Sequence, residues 1–261
     1  MADLHSLLED LRAEMTDLDR IVAAADDLQR PTPAEGWTIH DTVGHLAFFD
    51  RESVLAITDP EAFTAKVAAM DPATFMDDAV AEMRARSAAE LLELWRAGRD
   101  RELAALGQAD PKARLPWYGP PMNPLSFATA RLMEYWAHGQ DVADALGVRR
   151  EPTDRLRHIC HLGVRTRGFS SAVRGLPAPT EDVFVAVTGP GGNTWTWGDP
   201  DSTDRVEGTA VEFCLVVTQR RHVDDTHLVV TGNGAREWLQ IAQAFAGGPT
   251  TTDPARHALA T

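Results

Sequence analysis

The sequence predicts an α+β protein in which a bundle of four long helices precedes a small α/β domain. Three observations lead there. Apolar residues recur every three or four positions through most of the first 174 residues, the repeat of helices that bury one face. Past Gly175 the repeat shortens to two in DVFVAVTGPGGNTWTW, a strand texture around a glycine-rich turn. Between the third and fourth long helices lies DPKARLPWYGPPMNP, whose prolines are too dense for a helix or a central strand. The chain is thus expected to divide into a helical bundle over residues 1–174, a small α/β domain over 175–248 and a loosely ordered tail over 249–261.

The first helix follows from Leu4, Leu7, Leu8, Leu11, Met15, Leu18, Ile21, Val22 and Leu28, spaced as one face of a helix. The segment from Pro31 to Trp37 ends it. Thr38 with Asp41 three residues later reads as an N-cap with an acidic group at the positive end of the dipole, opening a second helix from Ile39 to about Ile57. Short helical patterns fill Pro60 to Arg86. Ser87 with Glu90 forms a capping box ahead of Leu91, Leu92, Leu94, Trp95, Leu103 and Leu106, the third long helix. The proline-rich loop from Asp110 to Pro124 is of a kind that often borders a site. Asn123 and Pro124 then make an Ncap and N1 pair for a fourth helix that stops at Gly147. A further helical segment, Arg155 to Phe169, is placed before the break near Arg174. After the hairpin come RVEG (strand), AVEFCLVVTQR (helix), HLVVTG (strand) and AREWLQIAQAFAG (helix), an order that suits a small sheet with helices on one face.

A chain of 261 residues with 44% hydrophobic and 25% charged residues is ordinary for a folded protein with a sizeable core. The formal charge of −14, from 25 basic and 39 acidic residues, opposes binding to nucleic acid or anionic lipid, and no basic patch offsets it. Cys160 and Cys214 are the only cysteines and form no CxxC arrangement, so neither a disulfide framework nor a cysteine zinc site is expected. The N-terminus MADLHSLLEDLRAEM interleaves charges where a signal peptide needs an apolar run, and no stretch of about 18 apolar residues appears. A cytoplasmic protein is expected, as a monomer or homodimer.

The residues with most chemistry are Glu134 and His138 on the fourth helix and His45 on the second. Positions four apart stand one turn above each other, so a carboxylate and an imidazole there can close on one ion. Arg131 precedes this stripe and Asp141 continues it, through an otherwise apolar helix with Leu132, Met133, Tyr135, Trp136 and Val142. Such polar groups in an apolar setting need solvent or mutual satisfaction. His45 interrupts the equally apolar VGHLAFF, and inward side chains on facing helices are how bundles build metal sites. Two imidazoles and one carboxylate suit Zn²⁺ or another divalent first-row metal, and three protein ligands leave a position open for chemistry. Taken singly, each feature also reads as a surface ion pair or a hydrogen-bonded core histidine.

GWTIHDTVGHLAFFDRE resembles the first metal-ligand motif of the DinB-like bundle superfamily, and ARLMEYWAHGQDVADALG is similar to the second motif of its mycothiol-dependent maleylpyruvate isomerase branch. The resemblance covers about residues 1 to 170 and implies His45, Glu134 and His138 as ligands of a zinc site, with Fe²⁺ or Ni²⁺ as other occupants. The C-terminal part resembles the small α/β domain of that branch, distantly similar to sterol-carrier-type folds. It implies a metal-dependent enzyme that uses a low-molecular-weight thiol, mycothiol, to isomerise or S-conjugate a small electrophile. Mycothiol is an actinobacterial thiol, and a chain in which Lys66 and Lys112 are the only lysines accords with a GC-rich source. In the isomerase a thiolate adds to a conjugated cis double bond, rotation follows, and the thiolate leaves; in the transferase the thioether is kept.

Arginine forks suit a dicarboxylate. Arg131 beside the metal stripe is one candidate; Arg220 and Arg221, read as the cofactor-binding pair, and Arg236 are others. Asp141 is expected to act in the site by orienting His138 or pairing with Arg131. Asp50 lies off the His45 face and is expected to pair elsewhere. Trp37, Trp117, Tyr118 and Trp136 are candidate pocket walls. His158 and His161 flank Cys160 without a third ligand of matching texture, and TGPGGNT lacks the lysine and helix of a phosphate loop. Two other classes stay open: a non-haem iron enzyme that uses oxygen, since two histidines and a carboxylate also hold Fe(II), and a non-catalytic module for a hydrophobic ligand.

Overall fold

The computed structural model describes residues 3–251. Contacts divide the chain into two compact units between Arg149 and Arg150. In the first, the helices are α1 (Leu4–Ala23), α2 (Ile39–Thr58), α3 (Pro60–Ala69), α4 (Phe75–Arg84), α5 (Ala88–Gln108) and α6 (Pro124–Leu146). The four long ones pack as a bundle, α2 on α5 and α6, α1 on α5 and α6, while α3 and α4 lie against α2. The predicted apolar stripe of α1 is the buried one: Leu7, Leu11, Met15, Leu18 and Val22. Among the described residues no helix is long and apolar enough to cross a membrane.

The caps fall where the sequence puts them, and they aim the functional helices. Thr38 and Asp41 form a reciprocal capping box, and Asp41 also receives Nε and Nη2 of Arg84 at 2.7 and 2.9 Å. Its carboxyl titrates below the usual range; burial opposes this, but the bonds from Arg84 and Thr38 outweigh it. The chain before α2 is fastened by Thr32 N–H donating to Trp37 O at 2.8 Å and His40 N–H donating to Leu28 O at 2.7 Å. Trp37 is therefore held at the mouth of α2. Asn123 caps α6, Pro124 is its first residue, and Gly147 closes it in the left-handed conformation, each for the reason that predicts it. The proline-rich loop folds back on itself through paired main-chain bonds between Leu115 and Met122, which presents Trp117 and Tyr118 at its tip.

The second unit contains α7 (Leu156–Arg165), α8 (Arg167–Ala172), β1 (Val183–Thr188), β2 (Thr194–Trp197), β3 (Asp204–Thr209), α9 (Ala210–Val217), β4 (Val229–Thr231) and α10 (Asn233–Ile241). Its sheet has the order β2-β1-β3-β4. The expected hairpin pairs β1 with β2 antiparallel, β3 lies parallel to β1, and β4 is antiparallel to β3.

The division comes upstream of the break expected near Arg174. The reason is that α7 packs on α9: a Cβ on Gly163 would stand 2.8 Å from Val217 Cγ2, so the glycine lets the two helices meet closely. The helix expected from Arg155 to Phe169 is two helices, broken at Thr166. Cys160 and Cys214, distant in sequence, meet in this packing as buried free thiols 3.5 Å apart. The expected tail falls outside the described residues from 252 onward.

Candidate metal centre

His45 sits near the middle of α2, one face turned to α6; Glu134 and His138 are one turn apart on α6. The three offer ligand atoms that all lie within 4.8 Å of one another, and among the described residues they are the group of three or more such side chains that comes together in this way. Nε2 of His138 is 3.4 Å from Oε2 of Glu134, and the two imidazole centroids are 4.5 Å apart. The sequence-predicted ligands thus converge from two helices.

Charge at the cluster favours a cation. Burial would raise the Glu134 pKa, yet the hydrogen bond and charge of His138, with His45 and Arg131 nearby, outweigh it and hold the carboxyl at about 2. On the other side of His138, Nδ1 lies 3.2 Å from Oδ2 of Asp141, a buried carboxylate. The His138 ring thus stands between two carboxylates, Glu134 on the side of Nε2 and Asp141 on the side of Nδ1. Asp141 thus meets His138, one of the two partners the sequence suggests for it. Trp37 stacks on His138 with the planes 9° apart and lies 5.1 Å from the His45 ring; Phe49 meets His45 from the other side at 4.7 Å.

Arg131 is placed differently from the expected substrate clamp. It is buried, with Nε donating to Glu102 at 2.9 Å and Nη2 donating to Asp50 at 2.8 Å. The Tyr135 hydroxyl donates to the other Asp50 oxygen at 2.6 Å and accepts from Trp95 Nε1 at 3.0 Å. The correction has a simple cause: one turn before Glu134, the α6 face turns inward between α2 and α5, where two carboxylates need a cation. Burial and the neighbouring Glu102 push the Asp50 carboxyl well above its usual range, against the pull of Arg131. Asp50 does pair away from His45, as expected. Glu102, Tyr135 and Trp95 escape a sequence reading because each sits in a helical repeat that looks like ordinary core or surface; the available signal was Gly98, whose missing Cβ would lie 3.3 Å from Asp50 Cβ.

Another buried carboxylate, Glu52, accepts from Lys66 Nζ at 2.5 Å and from the Tyr118 hydroxyl at 3.0 Å, which ties the proline-rich loop to α2. In the second unit Arg220 and Arg221 donate to the main-chain oxygens of Thr218 and Arg220, both at 2.7 Å. His161 accepts from Trp197 Nε1 at 3.3 Å and joins no cluster of ligand type among the described residues.

Comparison with known proteins gives the family. The chain is 50% identical over 253 residues, 95% of its length and 98% of theirs, to the uncharacterized proteins Rv0036c and MT0041 of Mycobacterium tuberculosis. Its fold is similar to crystal structures of the mycothiol-dependent maleylpyruvate isomerase. A histidine-to-alanine mutant matches with a TM-score of 0.61 at 15% identity over 85% of this chain and 91% of that one. The unmutated enzyme matches at 0.58 and 15% over 84% and 90%. The sequence profile described as "Mycothiol maleylpyruvate isomerase N-terminal domain" matches residues 11–143, a span that contains His45, Glu134 and His138. The chain belongs to the mycothiol maleylpyruvate isomerase N-terminal domain family.

Proposed function

We propose that this chain is a metal-dependent enzyme that uses a low-molecular-weight thiol, mycothiol by kinship with its family, to isomerise or S-conjugate a small electrophile. The observation that carries the reading is the convergence of His45, Glu134 and His138 within 4.8 Å. The donor set fits a divalent first-row cation, Zn²⁺ first: two imidazoles, one carboxylate kept ionised, and a second, buried carboxylate beside one imidazole. A cation held there supplies Lewis acidity, lowering the pKa of a coordinated thiol so that the nucleophilic thiolate is present at neutral pH.

The remaining work falls to the protein. Asp141 fixes the His138 ring by its 3.2 Å contact with Nδ1. Arg131 becomes a positioning residue: by joining α6 to Asp50 on α2 and Glu102 on α5, it sets the height of Glu134 against His45. Trp37 and Phe49 shield the two imidazoles from water. Arg220 and Arg221 are retained as the proposed contacts for the thiol cosubstrate. A cytoplasmic location accords with the free thiols of Cys160 and Cys214 and with a thiol cosubstrate.

The test is turnover of maleylpyruvate or a generic electrophile by untagged, metal-loaded protein. The proposal expects dependence on both metal and mycothiol, and loss in His45→Ala. Turnover that needs iron and oxygen would support the non-haem iron reading instead, and absence of any turnover with metal bound would support a binding module.

A further inference from the structure

The family kinship suggests a substrate as rich in carboxylates as maleylpyruvate, but the surroundings of the centre have another character. Five half-buried aromatic rings, Trp37, Phe49, Phe75, Trp117 and Tyr118, come from four separate pieces of the first unit, and they begin at the ligands themselves. Phe49 lies 4.7 Å from His45, then 5.9 Å from Trp117, 5.6 Å from Tyr118 and 6.2 Å from Phe75. Phe75 and Tyr118 are 4.8 Å apart. Half-buried aromatic rings in contact with one another form an apolar wall to which a flat ligand can stack.

The cations of α2, α3 and α4 are held by carboxylates: Arg51 by Glu82 and Glu52, Lys66 by Glu52 and Arg84 by Asp41.

We infer that the electrophile taken by this chain is an uncharged, flat, apolar or aromatic molecule that stacks on the wall formed by Phe49, Phe75, Trp117 and Tyr118. This rests on the thiol-dependent reading above for the word electrophile, and on the wall alone for the class of ligand. The two are separated by measuring binding without turnover. Indole and succinate serve as unreactive probes of the two classes, titrated into metal-loaded full-length protein by ligand-observed NMR.

Indole should bind at least tenfold more tightly than succinate. Phe49→Leu and Trp117→Ala should each weaken indole about three- to tenfold, the worth of one aromatic contact, at unchanged metal content and without effect on succinate. Trp117 also packs on Phe63 and Phe127, so Phe49→Leu decides the matter if Trp117→Ala melts early. Succinate binding as tightly as indole, or native indole affinity in a folded, metal-loaded Phe49→Leu protein, overturns the proposal. Indole binding without thiol-dependent turnover of any electrophile removes the enzyme reading and leaves the wall as a ligand site.

Discussion

Replacing Arg131 with alanine tests how the first unit is held together. The guanidinium donates to Asp50 and Glu102 at 2.8 and 2.9 Å, with all three side chains buried. Removing it leaves two like carboxylates facing each other without a counter-charge. Breaking a buried pair in this way costs about 3–5 kcal/mol, most of it the penalty of the stranded charge. For a domain of this size that lowers the melting temperature by on the order of 10 °C. Urea unfolding of Arg131→Ala measures it. Replacing Arg131, Asp50 and Glu102 together by apolar residues should recover most of the loss, because no buried charge is then left unpaired.

The pH dependence has a definite sign. Burial and Glu102 hold the Asp50 carboxyl well above its usual range, so the folded chain binds this proton more tightly than the unfolded chain. The stability this group contributes is present in full below the ordinary carboxylate range. It is lost as pH rises through the folded value, and more steeply in Arg131→Ala, where the opposing cation is gone. A change in stability within about 1 kcal/mol for Arg131→Ala, or one insensitive to pH, would refute this reasoning.

Three further outcomes follow from named contacts. Asp141→Ala should weaken metal binding by about 10- to 100-fold in chelator competition, with Asp141→Asn between it and wild type, since an amide still accepts from Nδ1 of His138 but carries no charge; equal affinity in all three proteins would remove Asp141 from the site. Thr38→Val should destabilise the first unit by about 1 kcal/mol in urea by deleting the oxygen that caps α2, with Thr38→Ser close to wild type. Arg220→Ala and Arg221→Ala should raise KM for mycothiol with the bound metal unchanged; an unchanged KM in both would take these residues out of thiol binding.

Much of the bundle is legible in its sequence because local rules and tertiary packing agree there. The Thr38–Asp41 and Ser87–Glu90 boxes, the Asn123–Pro124 start and the Gly147 stop act within a few residues of chain. The His45–Glu134–His138 cluster is legible for a related reason: Glu134 and His138 share a helix face by spacing alone, and His45 stands out within VGHLAFF. Arg131 shows where such reasoning stops. Its offset from Glu134 brings it next to the stripe, but which way the guanidinium turns depends on Asp50 and Glu102, residues 81 and 29 positions away. The end of the bundle is hidden likewise, because α7 reads as another amphipathic helix until Gly163 is seen against Val217. The aromatic wall of Phe49, Phe75, Trp117 and Tyr118 is gathered from three segments, and only Trp117 and Tyr118 of its rings have a sequence context that suggests a pocket.

The central claim is that His45, Glu134 and His138 hold one divalent cation together. Metal content of untagged protein, dialysed after loading and measured by mass spectrometry alongside X-ray absorption at the metal edge, addresses it directly. One ion per chain is expected, with two imidazole nitrogens and one carboxylate oxygen in its shell, and none retained by Glu134→Ala or His45→Ala. Wild-type protein that emerges from dialysis without metal, or variants that keep it as well as wild type does, would contradict it.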